Sequence, residues 1–137
     1  MHIRQLAILF TVVSMAACSM ADDTALAEAQ VAQFHQGLDS QQFEAMYENG
    51  GQELKGAATK TDFVALLSAV HRKLGAVTSS NKVSWHVNYH TSGSFVTLGY
   101  ETTFANGKGT EQFVYKLSDD KALLVGYHIN SNELITN

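Results

Sequence analysis

At Val77 the hydrophobic period of the chain changes from 3.6 residues to 2, and this change limits the possible folds more than any other feature. Before it, Ala27, Val31, Phe34 and Leu38 fall at i, i+4, i+7 and i+11. That stripe predicts a helix over residues 24–36, with Asp23 or Thr24 as N-cap and Gly37 near its stop. Asp39 and Gln42 read as a capping box for a shorter helix carrying Phe43, Met46 and Tyr47, ended by Asn49-Gly50-Gly51. Residues 52–60 read as a loop with one helical turn. A third helix is the clearest element: Thr61 caps it, Asp62 sits at its positive end, and Phe63, Leu66, Leu67, Val70 and Leu74 share a face. His71, Arg72 and Lys73 occupy its last turn before Gly75, and are read as helix-end electrostatics rather than a phosphate site.

After the change, Val83, Trp85, Val87 and Tyr89 alternate with Ser84, His86, Asn88 and His90. Residues 95–104, 109–117 and 122–129 follow as strands, with turns expected at Ser92-Gly93, Asn106-Gly107 and Asp119-Asp120. The predicted class is α+β: three N-terminal helices packed on a curved four-stranded antiparallel meander.

Two-residue turns at those places fix a register. Trp85, Tyr100, Phe113 and Gly126 form one row, and Val87, Leu98, Tyr115 and Leu124 the next, all expected in the core. The row nearest the Asn106-Gly107 turn holds Val83, Thr102, Glu111 and His128, so a carboxylate and an imidazole are expected to meet on the inner face. A one-residue slip in the last hairpin would send His128 to the other face. The fourth strand cannot arbitrate, because Leu123, Val125, Tyr127 and Ile129 are as apolar as the alternate set. Facing outward, Val114, Leu123, Val125 and Tyr127 form an interface candidate for a homodimer or protein partner, with cover by the tail 130–137 as the alternative.

The 137 residues, 45% apolar and without proline, suit one two-layer domain. Thirteen acids against nine Lys/Arg exclude a nucleic-acid binder that works through bulk charge. The N-terminus has its own logic. Arg4 precedes the apolar run Leu6–Met15, whose ten residues would rise about 15 Å as a helix, half of a bilayer core of about 30 Å. A basic start, a short apolar run and small residues after it read as a secretory signal peptide. Met15-Ala16-Ala17-Cys18 resembles the bacterial lipobox, in which cleavage precedes a diacylglyceryl cysteine; the usual Leu is Met15 here. The expected division is a signal peptide over 1–17, lipidated Cys18 with a tether over 18–23, and one domain over 24–137. Ser19 after the cysteine, where Asp would resemble an inner-membrane retention signal, points to the periplasmic face of the outer membrane. A soluble secreted protein with a leftover thiol is the alternative.

Three helices and a long meander resemble the nuclear-transport-factor-2-like (ketosteroid-isomerase-like, cystatin-like) superfamily of cone-shaped α+β domains. Tyr100-Glu101-Thr102-Thr103-Phe104, Gly107–Phe113 and Gly126-Tyr127-His128-Ile129 are similar to small bacterial lipoproteins whose domain has no assigned function. The resemblance covers about residues 25–132 and implies a pocket between helices and sheet, for which Trp85, Tyr100, Thr102, Glu111, Phe113, Tyr115 and His128 are the lining candidates. The superfamily holds enzymes, binding proteins and scaffolds, so the fold selects none of them.

Two functions of different class follow. The first is a non-enzymatic, outer-membrane-anchored binding or scaffold domain for a protein partner or small hydrophobic ligand, including an inhibitor or immunity type. The second is an isomerase- or hydrolase-type enzyme using Glu111 and His128 as an acid–base pair, with Tyr100 or Tyr115 donating to an oxyanion. No cofactor and no metal is expected: HExxH, P-loop, GxGxxG and GxSxG motifs are all missing from the sequence, and His86 and His90 would lie about 13 Å apart along a strand.

Overall fold

A computed structural model describes residues 16–136 of the chain, with side chains from residue 20 onward. Most of the expected signal peptide, and the side chain of Cys18, lie outside the described residues. Helix α1 spans Ala16–Asp39, α2 Phe43–Glu48, α3 Gln52–Ala57 and α4 Lys60–Leu74. Four strands follow, β1 Val77–His90, β2 Gly93–Phe104, β3 Gly107–Ser118 and β4 Lys121–Asn130, and α5 Asn132–Thr136 closes the chain. The sheet is antiparallel in the order β1-β2-β3-β4. The class is α+β, as the change of period predicts, but among the described residues four helices rather than three precede the sheet.

The differences are local and physical. The segment read as a tether is helical, because α1 already includes residues 18–23. Gly37 does not stop α1. A Cβ there would lie 2.8 Å from the Met46 sulfur, so this glycine serves the close crossing of α2. Asp39 does not cap α2; its Oδ1 accepts the Val77 backbone N–H at 3.1 Å and pins the start of β1 to the end of α1. Thr59, not Thr61, caps α4, accepting the Asp62 N–H at 3.1 Å while its own hydroxyl donates to Asp62 Oδ2. Gly75 ends α4 at φ +76°, a conformation that suits glycine.

The first two hairpins turn one residue earlier than expected. His90 pairs with Gly93 and Phe104 with Gly107, so Trp85 faces Leu98, Tyr100 faces Glu111 and Leu98 faces Phe113. Each shift is two residues in pairing and leaves every side chain of β2 and β3 on its expected face. In the third hairpin Asp119 and Asp120 take φ of +44° and +57°, and Tyr115 faces Leu124 as expected. Beyond that pair the register shifts by one at Val125, putting Val114 opposite Gly126, Phe113 opposite Tyr127 and Gln112 opposite His128. His128 is therefore exposed and on the face away from Glu111, and Tyr127 turns into the core instead of joining the outward stripe. The alternating pattern could not forbid this, since β4 is apolar on both faces.

The core lies between the inner sheet face and the helices. Alpha1 crosses all four strands and presents Ala27, Val31, Phe34 and Leu38. Alpha4 packs on α1, α2 and α5 with Phe63, Leu67, Val70 and Leu74. Strand β2 adds Val96, Leu98, Tyr100 and Phe104; β3 adds Phe113 and Tyr115; β4 adds Ala122, Leu124 and Tyr127. The expected core rows fail at Gly126, which the shift sets opposite outward Val114, and at Trp85, which is 53% exposed although it shares the inner face with buried Leu98. Among the described residues the helices do not cover that part of β1, where both faces of the strand are exposed.

Candidate functional site

The most unusual chemistry in the fold is a buried polar cluster on the inner face. Helical spacing places His35 one turn after Val31 and beside Phe34, so it points with the apolar stripe. Alternation along β3 points Glu111 inward together with Phe113 and Tyr115. The shift at Val125 brings Tyr127 to the same place. His35 Nε2 lies 2.8 Å from Glu111 Oε1, and the Tyr127 hydroxyl donates to Glu111 Oε2 at 2.7 Å. The imidazole donates the first contact when its proton sits on Nε2. Relative exposures of 2% for Glu111, 8% for His35 and 7% for Tyr127 put the cluster inside the protein.

Aromatic rings wall it in. Phe34 meets Phe113 edge-on at 5.0 Å between centroids and Tyr127 at 4.6 Å, while Phe113 stacks on Tyr115 and meets Tyr100 edge-on. In these surroundings burial, then the Glu111 charge, holds the Tyr127 phenol well above its ordinary range. Burial, with smaller contributions from Tyr100 and Glu111, does the same for Tyr115. Tyr100 is raised by burial and then by Glu28. The phenols stay protonated at any physiological pH; Tyr127 donates to Glu111, whereas the buried Tyr115 hydroxyl has no hydrogen-bond partner among the described residues.

Of the residues singled out from the sequence, Tyr100, Thr102, Glu111, Phe113 and Tyr115 are buried on the inner face. Thr102 is satisfied by the Ser80 hydroxyl at 2.9 Å. Trp85 and His128 do not join them. The Glu111–His128 contact expected from a regular last hairpin is replaced by Glu111–His35 and Glu111–Tyr127. The sequence reading did not single out His35, although its place four positions after Val31 is a signal that it faces inward, and the inward turn of Tyr127 depends on the shift at Val125. Of the outward candidates, Val114, Leu123 and Val125 are half-buried. Val125 is covered by the α2–α3 turn rather than by the C-terminal tail, for Gly51 donates to the Leu124 carbonyl at 2.8 Å and would touch Val125 through any Cβ.

Two cavities flank the core. One, about 830 Å³, is an open groove between α1, α2 and the β3–β4 hairpin. Leu26, Phe34, Met46, Tyr115 and Leu124 give it an apolar floor, and Gln30, Gln33, Gln36, Gln42 and Asn49 surround that floor with amides. The other, about 840 Å³, is a polar hollow by the start of α5, lined by Asn81, Glu101, Thr102, Lys108, Thr110 and Ser131 among others. His35, Glu111 and Tyr127 line neither. Among the described residues no three His, Cys, Asp or Glu side chains are placed to hold a metal, and no helix is long and apolar enough to cross a membrane.

Residues 30–127 match the family described as a protein of unknown function, DUF4019. The chain belongs to that family. No curated protein matches it. The family segment begins inside α1 and ends on Tyr127, so it contains all three members of the buried cluster and the groove lining apart from Leu26 and Ala29.

Proposed function

We propose that the protein is a lipid-anchored binding domain of nuclear-transport-factor-2-like type, held by Cys18 at the periplasmic face of the bacterial outer membrane. Its occupant is a small amphiphilic ligand, taken in the groove between α1, α2 and the β3–β4 hairpin. The observation that carries this reading is the division of labour between the two polar sites. Glu111, His35 and Tyr127 are sealed among aromatic rings, whereas the groove is open and offers an apolar floor with hydrogen-bonding amides around it. A concave apolar site with a few convergent polar groups is the usual form of a ligand pocket. General acid–base catalysis needs its groups within reach of a substrate proton, and the cluster lines neither cavity.

The anchor rests on the sequence around Cys18. A protein partner at the outer face, through Val114, Leu123 and Val125, has less support, because these residues are half-buried already. Two measurements test the reading. The neutral apolar probe N-phenyl-1-naphthylamine should bind with a rise in fluorescence, and Ala45→Trp, which places a ring in the groove, should weaken binding about tenfold or more. Absent or unaltered binding refutes the groove. Membrane fractionation should find the protein in the envelope and Cys18→Ser released; a variant that stays fully membrane-bound refutes the anchor.

A further inference from the structure

The two edges of the sheet are treated differently. The β4 edge is occupied: Gly51 donates to the Leu124 carbonyl, and α3 packs along the strand. Among the described residues, the β1 edge is hydrogen-bonded to β2 on one side only. After the irregularity between Lys82 and Ser84, the ladder from Ser84 to His90 is regular, pairing with Gly99 through Gly93. Along these residues every side chain is exposed except half-buried Val87. The stretch contains no Pro and no Lys, Arg, Asp or Glu, the residues with which proteins ordinarily blunt an open edge. The Lys82–Glu28 ion pair lies just outside it.

We propose that Ser84–His90 is a self-pairing edge, at which a second copy of this chain adds antiparallel and continues the sheet. The order of side chains favours a copy over a foreign strand. Val87 is the midpoint of the regular stretch, and the inner face reads large, small, large: Trp85, Val87, Tyr89. Antiparallel pairing about Val87 sets Trp85 against Tyr89 of the second copy at both ends, over a central Val87 pair. On the outer face, Ser84 meets His90, and His86 meets Asn88 of the second copy. No Lys, Arg, Asp or Glu is forced against a like charge. Aromatic and β-branched residues directly opposed across strands are the favourable pairs of antiparallel sheets.

The size of the contact sets its strength. Trp85 and Tyr89 are 53% and 55% exposed. With rings of about 150–250 Å² each, they leave roughly 100 Å² apiece to cover. Adding Val87 and the seven-residue backbone edge brings the buried surface to roughly 400–500 Å² per copy, against about 800 Å² in a standard stable interface. The association is therefore weak and reversible in solution.

Sedimentation velocity of the protein as isolated, from about 5 to about 500 µM, should show a concentration-dependent dimer. Trp85→Lys, at an exposed site, should keep the fold by circular dichroism and weaken association about tenfold or more. In a Cys18→Ser background, Val87→Cys should form a disulfide-linked dimer on mild oxidation, since directly opposed strand residues lie within disulfide range, while Val114→Cys on the outer face should not. A monomer at every concentration, a dimer indifferent to Trp85→Lys, or a cross-link at residue 114 and not at 87 overturns the proposal.

Discussion

Strands β1 and β3 are written in nearly the same pattern and meet opposite fates. Trp85, Val87 and Tyr89 alternate as regularly as Phe113 and Tyr115, and both sets lie on the inner face. Phe113 and Tyr115 are sealed under α1, while Trp85 and Tyr89 are more than half exposed. Alternation specifies a strand and its faces. Whether a face is covered depends on where a helix lies, and that is set by contacts distant in sequence. On the β3 side the protein adds a polar clasp to the packing: His35 of α1, Glu111 of β3 and Tyr127 of β4 tie the three elements together.

This contrast can be broken most forcefully at Phe113. Phe113→Ala empties the centre of the aromatic cluster and should cost about 3–5 kcal/mol in urea unfolding. A loss below about 1 kcal/mol would mean that the cluster is not the packing centre. Next in size is the carboxylate. Glu111→Leu leaves the His35 ring and the Tyr127 hydroxyl buried without their acceptor, and should cost about 2–4 kcal/mol. Glu111→Gln keeps an acceptor and should cost less. A variant Glu111→Leu as stable as the native chain would show that the clasp holds nothing.

Alkaline pH probes the same side. Tyr115 and Tyr127 have folded-state pKa values raised above the unfolded value of about 10, so their contribution is complete below pH 10 and is lost as pH rises toward the folded values. Stability should fall above about pH 10 by up to about 2.7 kcal/mol per pH unit for the two phenols, and Tyr127→Phe should halve that slope. An unchanged slope in the variant would place Tyr127 in solvent. The smallest effect belongs to the open edge: Trp85→Ser should change monomer stability by less than about 0.5 kcal/mol, and a cost above about 2 kcal/mol would mean that a hidden contact covers the ring.

How much of this was readable varies with the kind of information each element needed. Alpha4 was clear because cap, apolar stripe, basic last turn and Gly75 all agree locally. Alpha3 was read only as one helical turn in a loop because Gln52–Ala57 offers only Leu54 as a buried residue, too little to make a stripe. The faces of β2 and β3 came through because moving a turn by one residue shifts the pairing by two. The last hairpin did not, because an extra residue in a strand apolar on both sides leaves no mark in the pattern. Glu111 could therefore be placed inside, and an imidazole partner expected, while the partner itself came from a helix 76 residues away in sequence rather than from the neighbouring strand.

His35 and Glu111 act together to fasten α1 to the sheet. A double-mutant cycle with His35→Ala and Glu111→Gln, read by chemical denaturation, measures that coupling directly. The account predicts an interaction of about 1–3 kcal/mol, with the double variant less destabilised than the sum of the singles. Additivity within about 0.3 kcal/mol would contradict it, for the two groups would then be neighbours without being partners.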